Sequence, residues 1–268
     1  MKAHIQDISK GGGLDSYRHI VSLSGGKDSA AMALFMAREY PEIATEYVFC
    51  DTQCELPETY AYLDMLEDVL GKEIQRVTAF DLLKIRDRHN RNPFDIVLNE
   101  MYSGFLPSPT SRWCTRLLKI QVFENFVGDS KAYNYIGIRA DENRDGFQSK
   151  KPPVLSAAPN IIPVYPFLDH NYGYHDIERI LDESGVGMPS YYNWRTRSGC
   201  YFCFYQQIGE WQNLKEVHPE LFEKAKRMED AKKGYTWVDG KTLDDISRMP
   251  KRELFRPKDD DSCAICHL

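Results

Sequence analysis

The sequence predicts an α/β fold: a parallel, twisted sheet with helices on both faces, followed by a C-terminal helical extension that carries cysteines. Three observations predict it. Short apolar runs alternate with helical segments as far as residue 140. A paired glycine, Gly25-Gly26, joins the first apolar run to the first helical segment, as at the opening of a β-α-β unit. Proline and glycine then punctuate the helix ends, with Pro57 near one start and Gly71 and Gly185 near two stops.

The elements follow in order. Residues 1–16 form a polar lead-in containing Gly11-Gly12-Gly13. HIVSLS (19–24) reads as a buried strand, and AAMALFMAREY (30–40) as a helix rich in Ala, Leu and Met. TEYVFCD (45–51) is the second strand, PETYAYLDMLEDVLG (57–71) the second helix and EIQRVTA (73–79) the third strand. Residues 81–113 carry Asn92-Pro93, Gly104, Pro107 and Pro109, and read as a loop-rich insertion able to move over a site. CTRLLKIQVFENFVG (114–128) is helical in pattern, and KAYNYIGIRA (131–140) alternates as a strand before the charged loop DENRDG. Residues 150–163 read as proline-rich and extended. HDIERILDESG (175–185) is a helix, and HPELFEKAKRMEDAKK (218–233) a charged helix with Glu220–Lys224 and Glu223–Arg227 at i,i+4 spacing. Ser24 and Asp51 both fall at strand carboxyl ends, where parallel α/β sheets bind ligands.

Bulk composition narrows the class. The chain has 268 residues, 42% hydrophobic and 28% charged, which suits one large globular domain or one domain with an appendage. No apolar run approaches the ~20 residues needed to cross a bilayer. The N-terminus lacks the apolar core of a secretory signal, so a cytoplasmic location and no membrane partner are expected. The formal charge of -6 weighs against gripping nucleic acid unaided, and leaves docking onto a DNA-bound partner open. Lys84, Arg86, Arg88 and Arg91 read as a solvated helix face.

The segment Ser24-Gly25-Gly26-Lys27-Asp28-Ser29 reads as a phosphate-binding loop. Two glycines let the backbone curl so that its N–H groups converge on an anion. The helix that follows adds its positive end. Lys27 supplies a mobile charge, and Ser24 and Ser29 supply hydroxyls. Asp28 is out of place beside an anion unless a metal accompanies the phosphate, which points to Mg²⁺. This is not a Walker A loop, since Val21 and Asp28 stand where that pattern requires glycine and Ser or Thr. The competing assignment is a plain strand-to-helix turn with incidental polar residues.

With these segments together, the chain resembles the ATP pyrophosphatases of the adenine nucleotide alpha hydrolase-like, Rossmann-like superfamily. Within it, VFCDTQCELPETYAYL, SRWCTRLLK, GIRADENR, IIPVYPFLDHNYGYHDIERIL and RSGCYFCFYQ resemble segments of the phosphoadenosine phosphosulfate (PAPS) reductase family. The resemblance covers roughly residues 18–207. It implies that Ser22, Ser24, Gly25, Gly26, Lys27, Asp28 and Ser29 line the phosphates of ATP, and that Asp51 lies close to the nucleotide. It implies catalytic roles for Lys27, Asp28, Arg139 and Arg144. Paired guanidinium groups suit phosphate oxygens, although ion pairing with Asp141, Glu142 or Asp145 competes for these arginines. It divides the chain into residues 1–190, the nucleotide-cleaving domain, and residues 191–268, a cysteine-containing helical region packed on it. PAPS reductases tend to have a degraded loop without this lysine and aspartate, so an intact SGGKDS points to the ATP-splitting branch. The nearest resemblance in that branch is to the DndC/SspD-type component of DNA phosphorothioate modification. That implies a cysteine desulfurase as sulfur donor, a nickase or ATPase as further partners, DNA engaged through those partners, and room for a homo-oligomer. A PAPS or adenylylsulfate reductase, a tRNA thiolation enzyme and a zinc-stapled nucleotide-binding module without turnover are the alternatives.

Of the seven cysteines, four form two C-x-x-C pairs, Cys200/Cys203 and Cys263/Cys266. In a cytoplasmic chain such pairs indicate metal ligands, cluster ligands or redox thiols rather than disulfides. By the family resemblance, Cys114, Cys200, Cys203 and one of Cys263 and Cys266 would hold a [4Fe–4S] cluster. A four-thiolate Zn²⁺ site from the two pairs is the alternative. Some relatives with a cluster have two adjacent cysteines early in the chain, whereas Cys114 is flanked by Trp113 and Thr115. Cys50 ends a strand and reads as core packing. Trp113, Trp194 and Trp211 also read as core, His218 as the opening of a helix, and His170 and His175 as structural.

Overall fold

A computed structural model describes residues 4–10, 16–84, 88, 90–142, 156 and 158–255. Five strands form one parallel sheet: β1 (Arg18–Leu23), β2 (Thr45–Cys50), β3 (Ile74–Val77), β4 (Ala132–Tyr135) and β5 (Ile161–Val164). Their order is β3-β2-β1-β4-β5, so the chain reverses direction across the sheet between β1 and β4. Each pairing is parallel and in continuous register, for example Val21 with Tyr47 on one side and with Tyr135 on the other. The α/β fold read from the sequence is therefore the fold of the protein.

Alternation along the strands sends side chains to two cores. Val21, Leu23, Phe49, Tyr135 and Val164 face helices Lys27–Glu39, Pro57–Leu70 and Tyr174–Ser184. Ile20, Val48, Ala132 and Ile161 share the opposite core with Phe94, Leu118, Trp211, Leu214 and Trp237. The helix Lys27–Glu39 is buried from Lys27 through Met36, which its small Ala residues permit against the sheet. Helices Ile208–Val217, Pro219–Arg227 and Leu243–Arg248 belong to the second core, so the C-terminal region is packed directly on the sheet domain. Among the described residues, no helix is long and apolar enough to cross a membrane.

The structure departs from the sequence reading at several places, including a helix, Ile5–Lys10, in the lead-in. Residues 150–163 end in a strand, β5, despite Pro163. Pro163 is tolerated because β5 is the sheet edge, where a missing backbone donor costs least. The insertion 81–113 contains a helix, Pro93–Ile96, continuing as a π-helical turn through Met101. Asn92 caps it, its Oδ1 accepting from Asp95 N at 2.8 Å, and Pro93 occupies the first turn. The charged C-terminal helix stops at Arg227, before a separate short turn at Ala231–Lys233. Its acidic residues also pair differently: Glu220 lies 3.7 Å from His218 and Glu223 lies 3.5 Å from Lys226. The strand expected over 131–140 ends at Tyr135, and its remainder is an extended loop leading into the site.

Candidate active site

The site lies where the strand order reverses, past the carboxyl ends of β1 and β4, the crevice in which open parallel sheets bind ligands. Ser24 leaves β1 and the loop closes on itself. Ser29 Oγ accepts from Ser24 N at 3.1 Å and donates to Gly26 O at 3.0 Å, and Ser24 Oγ accepts from Gly26 N at 3.3 Å. Gly25 has φ of 70°, a left-handed conformation that favours glycine, and Thr59 packs so closely that no Cβ would fit. Tyr191 donates its hydroxyl to Gly25 O at 2.7 Å. Gly137, after β4, is held by the same logic: a Cβ there would sit 2.5 Å from Asp28 O.

The charges of the loop are buried and matched. Asp28 is 1% exposed; its Oδ2 accepts from Lys27 Nζ at 2.9 Å and its Oδ1 from Arg139 Nη1 at 2.8 Å. Arg139 also pairs with Asp141 at 2.8 Å and Glu142 at 3.0 Å. The ion pairing weighed for Arg139 is present, and the pair with Asp28 holds the guanidinium at the loop. Asp28 has its charge answered by Lys27 and Arg139, so its place in the loop does not by itself demand a metal. Burial works against the charged form of Lys27, but Asp28 outweighs it and holds the ammonium above its ordinary pKa. Arg139 is shifted in the same direction by Asp28 and Glu142 against its own burial. Tyr174 and Tyr192 wall the Lys27 ammonium at 5.6 and 5.5 Å from their ring centres.

Other expected residues fall as follows. Ser22 points away from the loop, donating its hydroxyl to Asn134 Oδ1 at 2.8 Å. Asp51 follows β2, its Oδ1 accepting from Gln53 N at 2.7 Å and Tyr60 OH at 2.8 Å. Arg144, Cys263 and Cys266 lie outside the described residues.

Cys114, Cys200 and Cys203 border one small pocket with a cavity volume of about 40 Å³. Its walls include Phe94, Leu118, Phe202 and Tyr205, and Thr52 and Lys119 reach its edge. Cys200 Sγ lies 3.3 Å from Thr52 Oγ1 and 3.5 Å from Glu55 Oε1, and burial pushes its thiol pKa up. Lys119, on a π-helical turn that follows Cys114, stands 3.7 Å from Glu55. Donor type and apolar walls suit a thiolate-held group. Among the described residues, no three Cys, His, Asp or Glu side chains stand at metal-ligand spacing, so these thiols would have to close up around one.

Several residues at the site carry no local signature. Thr59, Tyr191, Ser198, Glu55 and Arg195 reach it only through tertiary packing. Arg195 is fully buried and donates to the carbonyls of Gly199 and Cys200 at 2.9 and 3.0 Å, fixing the turn that bears Cys200. A signal for that turn did exist in Gly199, whose φ of 127° favours glycine.

A parallel five-stranded sheet with a closed glycine loop at its reversal point is an arrangement shared with nucleotide-binding α/β folds. The chain belongs to the phosphoadenosine phosphosulfate reductase domain family, matched over residues 18–215. It is similar to an uncharacterized protein of Methanocaldococcus jannaschii, 23% identical over 211 residues, 76% of this chain and 40% of that protein. A second uncharacterized protein of that organism is 24% identical over 210 residues, 78% and 47% of the two chains. An uncharacterized nin region protein of Escherichia phage lambda is 28% identical over 141 residues, 46% and 49%. The chain thus spans less than half the length of each of these relatives. Among solved structures, a PAPS reductase from Candida auris in complex with phosphate matches with a TM-score of 0.47 and 11% identity, covering 69% of this chain and 80% of that one.

Proposed function

We propose that this protein is an ATP pyrophosphatase that cleaves ATP to AMP and pyrophosphate, adenylating an acceptor for sulfur transfer. The observation that carries the reading is the intact loop with Lys27 and Arg139 both on Asp28, set beside a pocket bordered by three thiols. An acceptor oxygen attacks the α-phosphorus, the α–β bond breaks, and pyrophosphate leaves with the electron pair. The loop N–H groups, Ser24, Ser29 and Lys27 hold the leaving pyrophosphate, and Arg139 stabilises the charge that builds up on it. Mg²⁺ accompanying the ATP would neutralise phosphate charge, since both oxygens of Asp28 already face protein cations. Asp51 follows β2, the strand beside β1, and in this reading would lie close to the nucleotide. Sulfur then displaces AMP from the adenylated acceptor. The acceptor class we favour is the DNA backbone phosphate, with a cysteine desulfurase supplying sulfur and DNA presented by partner proteins, in keeping with the chain's charge of -6. A [4Fe–4S] cluster, or Zn²⁺ in its place, would be held by Cys114, Cys200, Cys203 and a tail cysteine, Cys263 or Cys266, and would supply thiolate-bound metal for handling sulfur.

Pyrophosphate release from ATP by the purified chain, compared with Lys27→Ala, tests the cleavage step; undiminished release by the variant would remove it. Mass spectrometry of host DNA for phosphorothioate linkages, with and without the gene, tests the acceptor. The family match favours one rival, reduction of a sulfonucleotide, for which sulfite release from PAPS with thioredoxin is the deciding result.

A further inference from the structure

The loop from Arg195 to Cys200 touches both halves of the site. At one end, Ser198 lies over the phosphate loop: the point where a Gly26 side chain would begin is 2.7 Å from Ser198 Oγ and 3.3 Å from Ser24 Oγ. Two hydroxyls from distant parts of the chain therefore converge above one glycine of the anion loop. Ser198 is 4% exposed, and among the described residues no hydrogen bond engages its hydroxyl. A serine hydroxyl standing over the loop can donate to a phosphate oxygen that arrives there. At the other end, two residues on, Cys200 stands in the thiol pocket against Thr52 at 3.3 Å. The turn between them is stiff: Arg195 clamps the carbonyls of Gly199 and Cys200, and Tyr201 N donates to Cys54 O at 2.9 Å.

We propose that Ser198 is a phosphate-contacting residue of the nucleotide site, and that through it the 195–200 loop couples phosphate binding to the placement of Cys200. The inference rests on the reading of residues 24–29 as a phosphate loop and goes beyond it. It adds a ligand contact from the cysteine-bearing segment, and it makes the thiol pocket respond to occupancy of the loop. A hydroxyl that bonds a phosphate oxygen when the site fills fixes Ser198. The short, clamped turn then transmits that restraint to Cys200, while Thr52 links the same thiol to Asp51 on the other side.

Backbone hydrogen–deuterium exchange on the full chain, with inorganic pyrophosphate as the probe, tests this. In the wild type, pyrophosphate slows exchange in peptides covering 24–29 and also in those covering 195–203. In Ser198→Ala, protection at 24–29 persists at saturating pyrophosphate, with affinity weaker by about tenfold, and protection at 195–203 disappears. Pyrophosphate that protects 24–29 in the wild type without changing 195–203 overturns the coupling and leaves the phosphate-loop reading standing. Identical affinity in the wild type and Ser198→Ala overturns the contact. Absence of protection at 24–29 overturns the phosphate-loop reading itself and this inference with it.

Discussion

At the end of β1, Lys27, Asp28, Arg139 and Glu142 are all buried, and each charge faces an opposite one within 3.0 Å. At the neighbouring strand end, the pocket past β2 is walled by aromatic rings and bordered by thiols. Burial, with Glu55 beside it, pushes the Cys200 thiol up, and Lys119 and Thr52 offset this only in part, whereas Asp28 outweighs burial at Lys27. One region is preorganised by close ion pairs of its own; the other is mainly apolar and aromatic, with one looser pair, Lys119 and Glu55 at 3.7 Å, at its edge. The comparison teaches that the loop's charges are fixed by the fold itself, which is what the proposed electrostatic work on phosphate requires.

The largest test breaks the charge balance. Arg139→Met leaves Asp28 and Glu142 buried together and short of one cation, with an expected loss of about 3–5 kcal/mol of stability, read by denaturant unfolding. Lys27→Ala leaves Asp28 its Arg139 partner, so the chain folds, but pyrophosphate release falls by at least about a hundredfold. Equal stability of Arg139→Met and wild type would show that the buried pairs are not the frame of this region.

Next comes the steric frame. Gly26→Ala places a methyl 2.7 Å from Ser198 Oγ, where something must shift. Stability falls by about 1–3 kcal/mol and pyrophosphate affinity falls with it, measured by calorimetry. Retention of both would mean that Ser198 yields freely and that the two regions are less tightly joined.

A cysteine substitution should separate the regions. Cys200→Ser keeps ATP cleavage within about threefold of wild type, because the Cys200 side chain touches Thr52 and Glu55 rather than the loop, and the coupling proposed above runs through Ser198 and the backbone of the turn. The same variant loses bound iron or zinc, measured by metal analysis, and gives no sulfurated product. Loss of cleavage together with metal would merge the two regions into one functional unit.

The smallest effect is expected away from both. Arg18 hydrogen-bonds Glu46 at 2.8 Å and holds that carboxyl below its usual range. A depressed carboxylate stabilises the fold above its unfolded pKa, and that stability is lost as pH falls through the lowered one. Glu46→Gln therefore costs about 0.2–1 kcal/mol at neutral pH and nothing in strong acid, with cleavage unchanged. A pH-dependent fall in activity would place Glu46 in the site's network.

Local patterns carried the loop and the cysteine pair. SGGKDS and C-x-x-C are contiguous, and their chemistry depends on residues that neighbour each other in sequence. Alternation gave β1 to β4 for the same reason. What stayed hidden depends on tertiary approach. Thr59 and Ser198 reach the glycines from helix and loop far along the chain, and neither has a spacing that announces it. Edge placement, invisible in sequence, is what lets Pro163 sit in a strand. Asn92-Pro93 was legible as a helix start, an asparagine cap with proline in the first turn, but reads equally well as a turn until packing decides. Ser22 shows the converse: it borders the loop in sequence while its hydroxyl belongs to the sheet.

The most direct test of the central claim is the identity of the products formed from ATP labelled at the α-phosphate, with Mg²⁺ and the wild-type chain. The account predicts label in AMP or in an adenylated acceptor, with pyrophosphate released in equal amount and lost in Lys27→Ala. Label in ADP, with inorganic phosphate as the co-product, would contradict it.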